Sequence, residues 1–253
     1  MDVLSFGGGR QTVGMLALMK LGRLDIPDAI IFADTGDEHP DTYKYSEEIS
    51  RPLIDDLGVK FVTVRNHNKP ESYNAEYMSL YDHSWHYNFL PQPFQRSCTD
   101  IFKIRPIYKY LDQFRPEPIN VWIGISADES HRAKPSRKKW VNNVFPLLDH
   151  NLTRSDCQAA IVEAGLPLPP KSGCFYCPFQ PARQWIKLKA HHPDLVRKAI
   201  ELEEHVALTK PNAYLRGHNR PLRRFIGEGY QTEFEWDQLL EDEAGCSSGY
   251  CFV

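Results

Sequence analysis

The 253-residue chain has no uninterrupted apolar run approaching the ~20 residues that a membrane-spanning helix needs. Its start, MDVLSFGGGRQT, lacks a basic stretch followed by an apolar core and a small-residue cleavage site, so no secretory signal and no membrane partner are expected. The expected address is cytoplasmic. There is little net charge: 33 acidic residues against 30 basic ones leave −3, so no global field draws the chain toward nucleic acid. Internal repeats and low-complexity tracts are missing. The ten histidines include no HExxH or other paired metal spacing, and they carry no catalytic assignment.

What is present is ordinary in bulk and uneven in detail. Hydrophobic residues make up 42% and charged residues 25%, which excludes a wholly disordered, collagenous or heptad-dominated chain. The length suits one large domain or two small ones. His131–Lys139 holds five Lys or Arg, Arg216–Arg224 holds four, and Glu233–Glu243 is acidic. Such blocks are usually solvated faces, although they leave phosphate-bearing partners open.

The first half alternates strand and helix patterns. Asp2–Phe6, Ala29–Ala33, Lys60–Val64 and Asn120–Ile125 have the length and apolar content of buried strands. Helical patterns cover Thr12–Leu21 and Thr42–Leu57, the second kinked or divided by Pro52. This order predicts an α/β fold, a doubly wound parallel Rossmann-like sheet whose ligands lie at the carboxyl ends of the strands. Residues 65–98 are aromatic and polar without a clean period, and read as an excursion over that edge. A helix is expected over Asn151–Ala164, starting near Thr153 or Ser155. A proline-rich connector then leads to a mainly helical part with helices over Trp185–Ala190 and Asp194–Leu208. The expected division is therefore 1–164 for a nucleotide-binding α/β domain and 165–253 for a helical, cysteine-containing part.

Ser5-Phe6-Gly7-Gly8-Gly9-Arg10-Gln11-Thr12 stands directly after a strand and before a helix. Three glycines allow a tight turn whose N–H groups point at an anion, the helix dipole adds positive potential, and Arg10 adds a fixed charge. A glycine-rich turn that binds nothing is the plain alternative. Neither the Walker A lysine nor the Rossmann glycine spacing is present. Asp34, after the second strand with Ala33 and Thr35, can hold a magnesium ion or a ribose hydroxyl, or simply form a turn. Asp128, Glu129 and Arg132, after Gly124, can bind nucleotide or pair among themselves. Lys103 and Arg105 are candidates for a solvated helix face.

Six cysteines occur: Cys98, Cys157, Cys174, Cys177, Cys246 and Cys251. Cys174 and Cys177 have CxxC spacing in a turn bounded by Gly173 and Pro178, which lets two thiolates converge. Cys98 sits before a predicted helix, whose dipole is expected to favour its thiolate. Cys157 falls within a predicted helix and is expected to pack in the core. The set suits a zinc site or a cysteine-ligated iron–sulfur cluster, and thiolate geometry alone does not separate the two. Buried cysteines with one reactive pair are the alternative.

Ser5–Thr12 resembles the pyrophosphate loop SFSGGKDS of the PP-loop ATP pyrophosphatases and PAPS reductases. Phe32-Ala-Asp-Thr-Gly36 with Pro40 resembles their second-strand DTG motif. Gly124-Ile-Ser-Ala-Asp-Glu-Ser-His-Arg132 resembles the reductases' G-I-R-x-x-E-S-x-x-R, and Phe145–Asp149 with Asp156 their segment after the core. Arg96–Lys103 with Arg105-Pro106, and Cys174-Phe-Tyr-Cys177-Pro178, are similar to the cysteine motifs of a bacterial and phage PAPS-reductase-like branch. The chain departs from the pattern at Gly7 (serine), Gln11 (aspartate), Thr12 (serine) and Ser126 (arginine), and the terminal E-C-G-L/I-H motif is absent.

The resemblance implies ATP, with magnesium, bound on Gly7–Thr12 with the adenosine near Ala33–Thr35, and roles in the reaction for Arg10 and Asp34. It also resembles sulfur-inserting enzymes that join a PP-loop to a [4Fe–4S] cluster. Cys98, Cys174 and Cys177 are then the first ligand choices, with Cys251 or Cys246 as fourth ligand or sulfur relay. The implied activity is an iron–sulfur-dependent sulfurtransferase. Its sulfur donor would be a cysteine desulfurase or sulfide, its acceptor a nucleic acid or small metabolite, and an oligomer is possible. The rivals are a thiol-dependent APS or PAPS reductase using Cys251, and a non-catalytic nucleotide-binding module with structural zinc.

Overall fold

The computed structural model describes residues 1–92, 95–215 and 220–227. One sheet of five parallel strands has the order β3-β2-β1-β4-β5, with β1 Asp2–Phe6, β2 Ala29–Ala33, β3 Lys60–Val64, β4 Ile119–Ile123 and β5 Val141–Val144. The helix α1 (Arg10–Lys20) joins β1 to β2. Between β2 and β3 run α2 (Pro40–Tyr45), a π turn (Ser46–Ser50) and α3 (Arg51–Asp56). The long β3–β4 crossover holds α4 (Leu80–His86), a single turn α5 (Ser97–Thr99), a second π turn (Asp100–Ile104) and α6 (Arg105–Leu111). A 3-10 segment (Ala127–Arg132) follows β4; α7 (Pro146–Asp149) and α8 (Arg154–Glu163) follow β5. The C-terminal part is helical, with α9 (Ala182–His191), α10 (Pro193–Ala207) and α11 (Leu222–Gly227).

The three strands at the sheet centre are buried because both their faces are covered. Leu4, Phe6, Ile30 and Phe32 pack against α1, α3 and α8. Their alternates Val3, Ile31, Ala33 and Val121 pack on the other face with Ile107 and Leu111 of α6. A third core joins Trp185, Leu188, Leu202 and Phe225 of the C-terminal helices to Leu80, Leu90 and Phe102 of the β3–β4 crossover. Packing therefore crosses the 164/165 boundary, and the aromatic excursion is one wall of the helical part.

Both π turns precede a proline, Pro52 in α3 and Pro106 in α6. Proline has no N–H to donate, and in a regular helix its ring would strike the carbonyl four residues earlier. The wider turn relieves that clash while the helix continues, so the division expected at Pro52 is realised as a bulge. The start of α8 is closed by reciprocal hydrogen bonds: Asp156 N–H donates to Thr153 Oγ1 at 3.2 Å, and Thr153 N–H to Asp156 Oδ2 at 2.8 Å. The strand β5 (VNNV) is not among the sequence-predicted strands, since its two central asparagines hide the apolar signal. It forms as the short edge of the sheet, registered on β4.

The chain moves outward from β1 through β2 and β3, then returns to pair β4 on the other edge of β1. The loops after β1 and β4 diverge at this switch point and leave a crevice at the carboxyl edge. Gly124, at the exit of β4, lies so close to Thr12 that a Cβ there would stand 2.9 Å from the Thr12 methyl. Its missing side chain is what allows the exit of β4 to approach the first turn of α1.

The same reasoning yields a stability test away from the site. A Cβ on Gly14 of α1 would lie 2.6 Å from Cys157 Cβ and 3.1 Å from its Cα, and Cys157 in α8 is fully buried. Glycine to alanine in a helix interior normally stabilises by up to about 1 kcal/mol. Here overpacking reverses the sign, and Gly14→Ala is expected to cost about 1–2 kcal/mol in urea unfolding. Unchanged or increased stability would show that α1 and α8 are less tightly apposed.

Candidate active site

A cavity of about 240 Å³ opens at the carboxyl edge of the sheet. One wall is the loop and first turn of α1: Gly7, Gly9, Arg10, Gln11 and Thr12. Gly8 turns the backbone with φ +67°, and a Cβ there would stand 3.3 Å from the Thr42 methyl. Gly9 caps α1 with no side-chain hydrogen bond, and no acid lies in the first turn. The helix thus presents unopposed positive potential to the cavity. The Thr12 hydroxyl donates to Gly9 O at 3.2 Å. Ser5 and Phe6 lie behind the loop, buried in β1.

A second wall carries a carboxylate that organises cations. Glu129 is buried, accepting from Gln11 Nε2 at 3.0 Å and Arg132 Nη1 at 2.6 Å on one oxygen, and from Arg154 Nη2 at 2.5 Å on the other. Its charge orders two guanidiniums that also line the cavity. Asp128 does not line it; it accepts from Arg154 N–H, at the first residue of α8, at 3.0 Å.

Asp34 is likewise turned away. Its Oδ1 accepts from the Tyr43 hydroxyl at 2.6 Å and Gly36 N–H at 2.9 Å, and its Oδ2 accepts both Arg65 Nε at 2.9 Å and Nη2 at 2.8 Å. With its oxygens so engaged, Asp34 shapes the turn, and its neighbour Thr35 reaches the cavity in its place. Ala33 is buried in β2.

The third wall is the thiol side. Cys98, Cys174 and Cys177, separated by up to 79 positions, line the same cavity as the glycine loop. The placement of Cys174 follows from main-chain pairing. His39 N–H donates to Gly173 O at 2.8 Å and Phe175 N–H to Asp37 O at 2.9 Å, an antiparallel bridge of Glu38 with Cys174. Cys174 Sγ lies 3.4 Å from Thr35 Oγ1. Beside them Lys103 Nζ donates to the buried Glu38 at 3.0 Å. Burial pushes the Cys174 thiol well up, and the Glu38 charge adds to this while Lys103 opposes it. Cys98 lies inside the one-turn α5 and is also pushed up by burial, which outweighs Lys103 and the Thr99 hydrogen bonds. The expected preference of Cys98 for its thiolate is thus overturned: desolvation of the buried thiol outweighs the neighbouring charge and hydrogen bonds.

In donor type the three thiols suit zinc or an iron–sulfur cluster; in placement they do not. Among the described residues no three His, Cys, Asp or Glu side chains gather closely enough to hold a metal ion. Cys246 and Cys251 lie outside the described residues, as do Arg216 and the acidic run Glu233–Glu243. Cys157 is buried core, as its helix suggested. Lys103 faces the cavity, whereas Arg105 is exposed and pairs with Asp100 at 2.6 Å. Arg154, Lys171, Gln180 and Arg183 line the cavity too and were not picked out from the sequence. They fall on three stretches of chain, around the start of α8, the proline-rich connector and the start of α9, with no spacing that marks them.

A model of the phosphoadenosine phosphosulfate reductase domain matches residues 2–170. The chain belongs to that family. Within the span matched to the reductase domain lie the glycine loop, Asp34, Glu129 and Cys98; Cys174, Cys177 and α9 lie beyond it. The chain is 32% identical over 151 residues to the uncharacterized nin region protein ORF290 of Escherichia phage lambda, covering 53% of this chain and 51% of the phage protein. It is 25% identical over 214 residues to an uncharacterized protein of Methanocaldococcus jannaschii, covering 78% of this chain and 40% of that one. The chain thus spans about half or less of the length of these curated relatives. Among solved structures it is similar to a PAPS reductase from Candida auris in a phosphate complex, at 13% identity and TM-score 0.42, covering 66% of this chain and 74% of that one. It is also similar to the U34-tRNA thiolase NcsA from Methanococcus maripaludis with its [4Fe–4S] cluster, at 11% identity and TM-score 0.42, covering 81% and 71%. No helix among the described residues is long and apolar enough to cross a membrane.

The turn that carries the bridge also holds a perturbed acid. Burial raises the Asp37 carboxyl from 3.8 to about 7, against the hydrogen bonds it accepts from Tyr81 N–H and Ser79. Between those two values the folded chain binds more protons than the unfolded one, so this group's contribution to stability falls as pH rises. Asp37→Asn keeps an acceptor for Tyr81 N–H and removes the titration. The variant should lose less stability than the parent between about pH 5 and pH 8 in denaturant unfolding. Identical pH profiles would show that Asp37 titrates as an ordinary carboxylate.

Proposed function

We propose that the cavity binds ATP through its phosphates and that the chain is a sulfur-transferring enzyme which activates an acceptor oxygen by adenylation. The observation that carries this reading is that the Gly7–Thr12 loop and the thiols of Cys98, Cys174 and Cys177 line one cavity. A purely structural cysteine site would have no reason to face a phosphate loop.

The loop N–H groups, the α1 dipole and Arg10 favour the charge that develops on the α-phosphate as the acceptor oxygen attacks it and pyrophosphate departs. Arg132 and Arg154, held by Glu129, add fixed positive charge to the same space. The product is an adenylated acceptor. A sulfur nucleophile then attacks the acceptor carbon: a C–S bond forms, the C–O bond breaks and AMP leaves with the electron pair. Sulfide gives the thiol directly. Persulfide sulfur from a cysteine desulfurase gives a mixed disulfide that a second thiol of the wall cleaves, leaving a protein disulfide for a dithiol reductant. The thiol wall is where that nucleophile is received, and Lys103 offsets part of the burial that raises its thiols. Among the described residues Cys98, Cys174 and Cys177 do not gather closely enough to hold a [4Fe–4S] cluster or zinc, so no step of this reading runs through such a group.

The family match supports a second reading, a thiol-dependent APS or PAPS reductase. It predicts sulfite release with a dithiol reductant and no need for ATP. The sulfurtransferase reading predicts AMP and pyrophosphate formation that depends on an acceptor.

The first test is nucleotide binding by the intact chain together with iron, acid-labile sulfide and zinc content after anaerobic purification. ATP is expected to bind, and Gly8→Asp to weaken it by about a hundredfold, since a carboxylate would then face the phosphates in a left-handed backbone position. Unchanged affinity would remove the phosphate assignment. About four irons and four sulfides per chain would support a cluster. From the placement of Cys174 and Cys177 no metal is expected on them, and bound iron or zinc that a double Cys174→Ala, Cys177→Ala change removes would overturn that.

A further inference from the structure

The thiol wall ends in a second helix start that faces the same cavity as α1. The first turn of α9 follows Cys177 by a short turn in which Gln180 N–H donates to Cys177 O at 3.0 Å. Pro181 stands at the cap position with no side-chain hydrogen bond, and the first turn holds no acid. Gln180, Arg183 and Gln184 line the cavity there. An uncapped helix start is not by itself a site. Gln180 supplies the independent observation: the residue lines the cavity yet is only 5% exposed, and among the described residues its Nε2 donor has no hydrogen-bond partner. A buried amide donor left without a partner is costly, and an acceptor brought in by a ligand removes that cost.

The charge around this end has the matching sign. Arg96 stacks its guanidinium over the Phe179 ring at 4.4 Å, and Lys171 Nζ donates to Phe179 O at 3.2 Å, so two cations are fixed around the residue before Gln180. Among the described residues, seven Arg or Lys side chains line the cavity against one carboxylate, Glu129. The loop, Arg10, Arg132 and Arg154 account for a nucleotide's phosphates. The cations at the α9 end remain beyond that need.

We propose that the start of α9, with Gln180 and Arg183, is a second oxyanion subsite that takes a phosphate ester carried by the acceptor, not by the nucleotide. This rests on the reading that the glycine loop holds the nucleotide phosphates. The acceptor is then held at two ends: its phosphate lies on α9, and its reacting oxygen points back toward the loop past the thiols. Two sources share this chemistry, a small phosphomonoester and the backbone phosphate of a nucleic acid.

The test is a titration of the intact chain with inorganic phosphate, alone and with saturating ATP analogue whose α–β bridge cannot be cleaved. Phosphate should still bind when the analogue fills the loop. Gln180→Leu, which removes the donor at similar volume, and Arg183→Gln, on a partly exposed helix position, should each weaken that binding about tenfold while analogue affinity stays within about twofold. Phosphate binding abolished by the analogue, or unchanged in both variants, would overturn the subsite. If the analogue itself does not bind, the proposed function fails, and the two variants still read the α9 subsite in the nucleotide-free chain. Competition with inorganic phosphate by ribose 5-phosphate would assign a small phosphomonoester, and competition by a short single-stranded oligonucleotide a backbone phosphate. Competition by neither would overturn the phosphate-ester assignment.

Discussion

The short antiparallel bridge between Asp37–His39 and Gly173–Phe175 is the contact on which the site depends. It is made of main-chain hydrogen bonds, so it specifies position without relying on particular side chains. It ties a segment past the sheet domain to the turn that leaves β2, at the edge where a parallel α/β sheet presents its ligands. Without it the CxxC turn would belong only to the helical part. With it Cys174 stands beside Thr35, and α9 begins at the rim of the cavity.

Electrostatics follows from that closure. The cavity is positive, and its two acidic neighbours are used to hold cations in place: Glu129 between Arg132 and Arg154, and Glu38 against Lys103. Buried ion pairs of this kind contribute little net stability, because desolvation offsets their attraction. Their effect is on orientation, since fixed guanidiniums need no reorganisation when charge develops on a ligand.

Much of the frame was legible in the sequence. The strands β1, β2 and β3 coincide with the runs read for them; β1 and β2, covered on both faces, need continuous apolar sequence, whereas the edge strand β3 alternates more polar positions. The glycine loop was legible because strand, glycines and helix follow one another without interruption. The strand β5 was not, because two of its four residues are asparagine and its pairing with β4 decides its structure. The role of Asp34 was ambiguous for a related reason: Tyr43 and Arg65, which occupy its oxygens, lie 9 and 31 positions away. The thiol side divided in the same manner. CxxC spacing is local and readable, whereas the burial that raises the Cys98 thiol comes from segments distant in sequence.

The π turn at Asp100–Ile104 makes chain length itself part of the chemistry. A π turn carries one more residue than the α turn it replaces, so everything before it is rotated by about 100° relative to a regular helix. Cys98 lies before that extra residue, Lys103 within the turn, and Pro106 just after. Deleting any one residue between Cys98 and Pro106 would remove the extra residue that carries the helix past Pro106 and rotate the thiol relative to the cavity wall. The count of residues in this stretch is therefore constrained more tightly than their identity.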